Sequence, residues 1–322
     1  MPLPLFVVCF AVVKFQQARQ VRHPHPQHSL PQAFAVASVG IATFAGMDVV
    51  MKGLALELGA YNAIFWRSTF IIVLAGILYW WRRTSWPSLT VLKLHALRGL
   101  IVSIMAFLFF WGLKYLPVAE AIGLSFIAPL IALYLSAVIL HEHISKRAIL
   151  ASIIGLIGAV VVIAGRLNGD YGLDMGKGIA AILCSAVLYA YNLILQRQQA
   201  LVANPFEIGF FQNCVVIILF GLLSPFLAQA PPLAIAPKLF AAAALGLVSM
   251  LMMSWAYARA PASTLLPVEY SAFAWAALLG WLVFAEQVTL TTLLGTGLIV
   301  SGCLVAAWQT QDRVDHVETT AL

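Results

Sequence analysis

Ten stretches of predominantly apolar residues, most joined by connections of only a few residues, restrict this chain more than any other feature of it. A bilayer core about 30 Å thick is crossed by roughly 20 apolar residues in a helix. On that ruler the predicted spans are 33–55, 61–81, 94–114, 118–140, 147–165, 178–198, 206–227, 239–258, 263–284 and 290–309. The joins at Tyr115-Leu116-Pro117 and Arg259-Ala260-Pro261 are so short that the helices they link must be antiparallel neighbours. Composition points the same way. Of 322 residues 62% are apolar and 9% are charged, against about 25% charged in an ordinary soluble domain. The expectation is an all-α membrane protein.

The excess positive charge of +6 is not gathered on one face, as nucleic-acid binding requires; Lys and Arg come one to three at a time between apolar runs. With both termini placed in the cytoplasm, the inner side carries Lys14, Arg19, Arg22, Arg82, Arg83, Lys93, Arg98, Lys146, Arg147, Arg197, Arg259 and Arg313. The outer side carries Lys114, Arg166, Lys177 and Lys238. This asymmetry predicts cytoplasmic termini by the positive-inside rule, and Trp80, Trp81, Trp86 and Trp308 fit an aromatic belt on the same side. Residues 1–32 and 310–322 read as cytoplasmic tails around a ten-helix domain at 33–309. Leu3–Val13 is apolar but half a span long, and reads as an interfacial segment or an upstream extension of the coding start. His23, His25 and His28, interleaved with prolines, read as a disordered tail, not a metal site. Cys9, Cys184, Cys214 and Cys303 lack paired spacing and read as free, buried thiols.

A shift of 144 residues superposes Trp111 on Trp255, Pro117 on Pro261, Glu142 on Glu286 and Gly158 on Gly302. The same shift sets Asp48 opposite Asn192, and a two-residue gap then sets Arg67 opposite Asn213. Each copy, 33–165 and 178–309, holds five spans. An odd number makes the second copy enter the membrane from the other side, so the chain is read as two inverted five-helix repeats with a substrate site at their interface near the midplane.

With Lys52 and Arg67 early in the first half, a proline-led central helix ending in Glu142 or Glu286, and a Gly-rich fifth helix in each half, the chain resembles the EamA group of the drug/metabolite transporter superfamily. Within that group it is most similar to the YddG-type exporters of aromatic and other neutral amino acids. The resemblance covers about residues 33–309 and implies export of small organic solutes from the bacterial inner membrane by alternating access, without a cofactor. The second half departs from it in having Asn213 where the first has Arg67.

Among candidate binding residues Glu269 is the most informative, because it lies eight positions after Pro261, about 12 Å into the core. It reads either as a cavity group for an amino group or proton, or as a structural glutamate bonded to a neighbouring helix. Ser125 is its mate in the first repeat. Pro129 and Pro267 remove the hydrogen bonds to the carbonyls of Ser125 and Ser263, so they read as hinges or as static kinks. Asp48 and Lys52 are spaced to pair on one helix face, with Arg67 at similar depth, as a structural or gating ion cluster. Trp66, Trp111, Tyr189, Tyr191, Trp255, Tyr257, Tyr270 and Trp275 sit on spans that the resemblance places around the cavity, where rings suit both apolar side chains and cations. Asn192, Gln212 and Asn213 are amides needing buried partners or substrate; Met250, Met252 and Met253 offer an adaptable surface. Glu120 is expected near the outer mouth, and Glu142 and Glu286 are expected to position loops. Ala151, Gly155, Ala159, Gly302 and Ala306 permit close helix approach, within one chain or between two, so a monomer and a homodimer both remain open.

No phosphate-binding loop, H-E-x-x-H or G-x-S-x-G motif is present, which removes ATP-driven transport and the common hydrolytic chemistries. The function expected is a secondary exporter of amino acids, the alternatives being cationic drugs or other metabolites, and a channel-like or receptor membrane protein. Sugar or lipid phosphates would need several midplane cations, and only Arg67 and Lys52 come close.

Overall fold

A helix in lipid must satisfy its own backbone, so apolar runs of this length fold as helices whatever their side-chain order. The computed structural model describes residues 30–82, 86–116, 118–142, 144–164, 173–285 and, with gaps at 292, 296 and 299–300, 290–302. The elements are α1 (Leu30–Trp81), α2 (Leu89–Gly112), α3 (Val118–Ser125), α4 (Ile127–Ile139), α5 (Lys146–Ala164), α6 (Leu173–Val202), α7 (Pro205–Leu227), α8 (Ala236–Arg259), α9 (Ala262–Leu265), a 3-10 turn at Leu266–Tyr270 and α10 (Ser271–Phe284). The described residues of 290–302 are helical, and no strand occurs among the described residues. Expectations that fall on Leu3–Val13, His23–His28, Cys9, Cys303, Pro117, Glu286, Ala306, Trp308 and the side chains of Glu120 and Ala159 lie outside this description.

Among the described residues, seven helical stretches are long and apolar enough to cross a membrane, and α1 alone, at 52 residues, is one of them. A straight helix of that length would run about 78 Å, more than twice the hydrocarbon core. It does not run straight: Gly59 sits at φ 79°, ψ 155°, which glycine adopts without steric cost, and splits α1 into two limbs at 30–58 and 60–81. The first two spans therefore meet at one residue, not at the loop expected between 55 and 61.

The most extensive helix pairings are α1 against α8 and α2 against α6. Under the 144-residue shift α2 maps onto α8 and the first limb of α1 onto α6, so these are one contact made twice, each time between the two halves. The fourth and ninth spans depart from regular α-helix at matching places. One is interrupted at Phe126, between α3 and α4, and the other winds into the 3-10 turn ending at Tyr270. Pro129 and Pro267, which lack the N–H of a regular helix, stand at these interruptions. Phe126 and Tyr270 are 144 residues apart and touch, ring centroids 5.0 Å apart. Equivalent residues that touch must straddle the symmetry axis, so the pseudo-two-fold passes between these rings.

Tyr270 is 1% exposed and lies flat against Gly155 of α5; a β-carbon there would stand 2.6 Å from its Cγ. A β-carbon on Gly302 would stand 2.8 Å from the Ala151 carbonyl oxygen and 3.3 Å from Gly155 N, so the last helix packs directly on α5. The small-residue stripes thus serve packing inside one chain. Gly155→Ala is expected to cost about 1–3 kcal/mol by overpacking, read as a lowered unfolding temperature in detergent. Gly53→Ala, with nothing within 4 Å, should leave it unchanged or slightly raised. Trp80, Trp81 and Trp86 are exposed beside Arg82 and Lys93, as an interfacial belt requires. The thiols are not both buried as expected: Cys184 faces outward and Cys214 is half-covered.

Candidate functional site

Between α1, α2, α6, α7, α8 and the 3-10 turn lies a cavity of about 120 Å³, several times what one water needs. Its apolar wall includes Ile41, Phe44, Ile64, Val102, Met250 and Met253. Its polar groups are Arg67, Arg98, Tyr189, Asn192, Gln196, Gln212, Asn213 and Glu269, with Ser103 and Ser249.

Glu269 reaches this cavity because the 3-10 turn, wound at about three residues per turn, follows a single turn of α-helix. Both of its oxygens are bonded. The Tyr189 hydroxyl of α6 donates to Oε2 at 2.5 Å and the Tyr257 hydroxyl of α8 donates to Oε1 at 3.4 Å. An ionised carboxylate is an acceptor at both oxygens, which is what two phenol donors suit. The glutamate is 3% exposed and Tyr257 fully enclosed.

Arg98 is the main correction to the reading of the sequence, which counted it as an inner-surface charge. α2 begins at Leu89, with Ser88 as its cap accepting from Val91 N at 3.5 Å, five residues before the predicted span. Arg98 therefore lies about 14 Å along the helix and is 4% exposed. Its Nε donates to Asn192 Oδ1 at 2.9 Å, Nη2 to Gln196 Oε1 at 2.9 Å and Nη1 to Gln199 Oε1 at 2.6 Å. Gln199 Nε2 lies 2.7 Å from His95 Nδ1, and His95 Nε2 lies 3.2 Å from Glu207 Oε1. Since Gln199 accepts through its oxygen, its nitrogen donates to Nδ1, and His95 donates from Nε2 to Glu207. Three helices are thus clasped by one directed chain of bonds. Two signals pointed to it: the cap Ser88 after Pro87, and the face Tyr189, Asn192, Gln196 and Gln199, spaced three, four and three residues apart along α6.

The cavity wall also holds Arg67, whose Nη1 lies 3.2 Å from Met47 Sδ and whose charge acts on Asp48. Asp48 is 2% exposed, and its Oδ1 accepts no hydrogen bond among the described residues. Lys52 turns away from the expected cluster: its Nζ is 3.4 Å from the Leu116 carbonyl and 5.1 Å above the Phe284 ring. Gln212 Oε1, on the cavity wall, also accepts no hydrogen bond among the described residues.

The aromatic residues mostly do not converge on the cavity. Tyr189 lines it and Tyr257 braces Glu269. Trp66 donates from Nε1 to the Gln229 carbonyl at 2.7 Å, Trp111 packs on Tyr115, Trp255 lies under Arg259 at 4.0 Å, and Trp275 is 40% exposed on the lipid side. Tyr191, two residues beyond Tyr189, points to the other side of α6; Tyr270 belongs to the symmetry axis. Ser125 is also outside the lining, and its hydroxyl is spent on the Ala121 carbonyl at 2.9 Å. Span assignment cannot tell one face of a helix from another, and these residues sit on the wrong faces. Glu142 holds more than its own loop. It accepts from the backbone N–H groups of Ala262 and Ser263 at 3.2 and 3.0 Å and pairs with Arg197 at 3.4 Å, fixing the start of the ninth span.

Known proteins match this chain along most of its length. The EamA-like transporter family matches residues 32–164 and again 176–308, two copies starting 144 residues apart. An S-adenosylmethionine uptake transporter of Rickettsia bellii is 23% identical over 281 residues, covering 84% of this chain and 94% of that protein. The pseudopaline exporter CntI of Pseudomonas aeruginosa is 25% identical over 284 residues, covering 85% and 95%. A solved crystal structure superposes with a TM-score of 0.66 at 20% identity, over 88% of this chain and 98% of the other, and so shares the fold. Two family copies, an all-helical membrane architecture and a buried polar cavity between the halves establish that this chain belongs to the EamA-like transporter family: it is a multi-pass membrane transporter of small molecules and not an enzyme.

Proposed function

We infer that the protein carries amino acids and related amino-bearing metabolites across the bacterial inner membrane by alternating access, with Glu269 receiving the ammonium group. The observation that supports this most is a carboxylate held by two phenol hydroxyls at the wall of an otherwise largely apolar cavity. An ammonium leaving water for such a site needs acceptors and a counter-charge to offset its lost hydration. Gln212 Oε1 offers a further acceptor. Ile41, Val102 and the methionines leave room for varied apolar side chains without dedicated polar contacts. S-adenosylmethionine, the solute in the Rickettsia relative's name, is itself an amino acid.

The test is counterflow in proteoliposomes, with a panel of neutral and aromatic amino acids, a quaternary amine and a sugar phosphate. Amino acids should exchange and the phosphate should not. Export, the direction expected from the sequence, is read by loading either side of vesicles of known orientation; the relatives include an uptake transporter and an exporter. The charge asymmetry of the sequence favours cytoplasmic termini, and reporter fusions at each end should both report the cytoplasm.

In this reading the interruptions at Pro129 and Pro267 are the hinges on which one half rocks against the other. Pro129→Ala and Pro267→Ala are each expected to restore a helical hydrogen bond. Each should shift the inward-open to outward-open balance, seen as altered labelling of single cysteines at the two mouths and a several-fold lower transport rate. Wild-type rates in both variants would make the prolines packing features.

A further inference from the structure

We propose that Arg98 is the receptor for the carboxylate of the substrate, so that the cavity selects zwitterions and not organic cations in general. The proposal rests on the reading of Glu269 as the ammonium acceptor and adds the second half of the site. Arg98 is buried, lines the same cavity, and has three acceptors that are all neutral side-chain amides. Neutral amides satisfy hydrogen bonds but leave the charge without an ionic partner in contact, a costly state for a buried guanidinium. Three of its five N–H groups are engaged. The other two, one on each terminal nitrogen, have no acceptor among the described residues, and a carboxylate is the ligand that would meet a guanidinium with charge-assisted bonds.

Placement supports the pairing. Glu269 is anchored to α6 through Tyr189 and Arg98 through Asn192, three residues further along. The two anchors are about 4.5 Å apart along the helix axis, so both charged groups are held from one face of α6. Tyr189 and Tyr257, which hold Glu269, are also within electrostatic reach of Arg98. The nearest carboxylate along the clasp is Glu207, two side chains away through Gln199 and His95. A zwitterion adds no net charge to such a site and meets an opposite charge at each end. An amine without a carboxylate meets Glu269 but brings a like charge towards Arg98.

The experiment is competition against amino-acid counterflow in proteoliposomes, using leucine and phenylalanine, their decarboxylated amines and their deaminated acids. In the wild type both the amines and the acids are expected to compete at least tenfold more weakly than the amino acids. Arg98→Gln should weaken the amino acids to the level of the amines while leaving the amines unchanged. Arg98→Lys should restore part of the preference. Glu269→Gln should weaken the amines and spare the acids. If Arg98→Gln weakens amines and amino acids equally, Arg98 is only part of the helix clasp and the proposal is overturned. Wild-type protein for which amines compete as well as amino acids overturns it without any variant, while leaving Glu269 as an ammonium site. If no amino acid exchanges at all, the proposed function fails, and this assignment with it.

Discussion

Glu269→Ala protein is expected to fold, to insert and to lose amino-acid counterflow. The carboxylate is the only acidic side chain on the cavity wall among the described residues, and nothing else there replaces a negative charge. Removing the counter-charge of a buried ammonium costs about 3 kcal/mol, roughly a hundredfold in apparent affinity. Glu269→Gln separates charge from shape. Its oxygen still accepts from one tyrosine, and the other hydroxyl can rotate, so folded yield should stay near normal. Loss of transport in both variants with normal yield supports the cavity role. Normal transport by the Gln protein would remove the charge from the mechanism and leave Glu269 as a brace between α6 and α8. Tyr189→Phe, which takes away the 2.5 Å donor, should weaken apparent affinity less than either glutamate variant.

Glu142→Ala should cause a large loss of stability. The side chain accepts from two backbone N–H groups at the start of α9 and pairs with Arg197, which also donates to the Tyr257 carbonyl. Truncation leaves those two N–H groups without their acceptor and the guanidinium without its partner. Both ion-pair side chains are about 15% exposed, so screening is limited, and about 2–3 kcal/mol is expected. Thermal unfolding in detergent reads this directly. Glu142→Gln, which keeps one acceptor, should fall between. A second readout ties the site to the fold: Glu269 is seven residues beyond Ala262, and a loosened α9 should also raise the apparent KM. A stable protein with unchanged KM would show that the tie between the fourth, sixth and ninth spans is dispensable.

Glu269 lies on the cavity wall at the depth expected of it, while most of the aromatic neighbours expected around it lie elsewhere, for one reason. Depth along a span is counted in residues, at a fixed rise per residue. Proline 261, the apolar run and the absence of a loop were enough to place the carboxylate well inside the bilayer. Which way a side chain points around the helix depends on where the helix begins, how it bends and what it packs on. Trp111, Trp255 and Trp275 have suitable depth and sit on other faces. Arg98 was misplaced for the complementary reason: moving the start of α2 back to the Ser88 cap converts a surface charge into a midspan one.

What the sequence determined by itself is therefore everything that depends on length, sign and repetition. The apolar runs demand lipid, their number and short joins impose antiparallel crossings, and the 144-residue repeat with five spans a copy requires the second half to be inverted. Those are properties of a line and survive without knowing any contact. The tertiary structure alone decided which polar groups meet. Arg98, Gln199, His95 and Glu207 come from three helices more than a hundred positions apart at the extremes, and no local pattern links them. The contact of Phe126 with Tyr270, which locates the axis, likewise exists only once the two halves have packed. Burial in lipid selects for partners but does not say which, since several arrangements of the same helices would cover the same apolar area. The hydrogen-bonding needs of a few buried charges are what single one of them out.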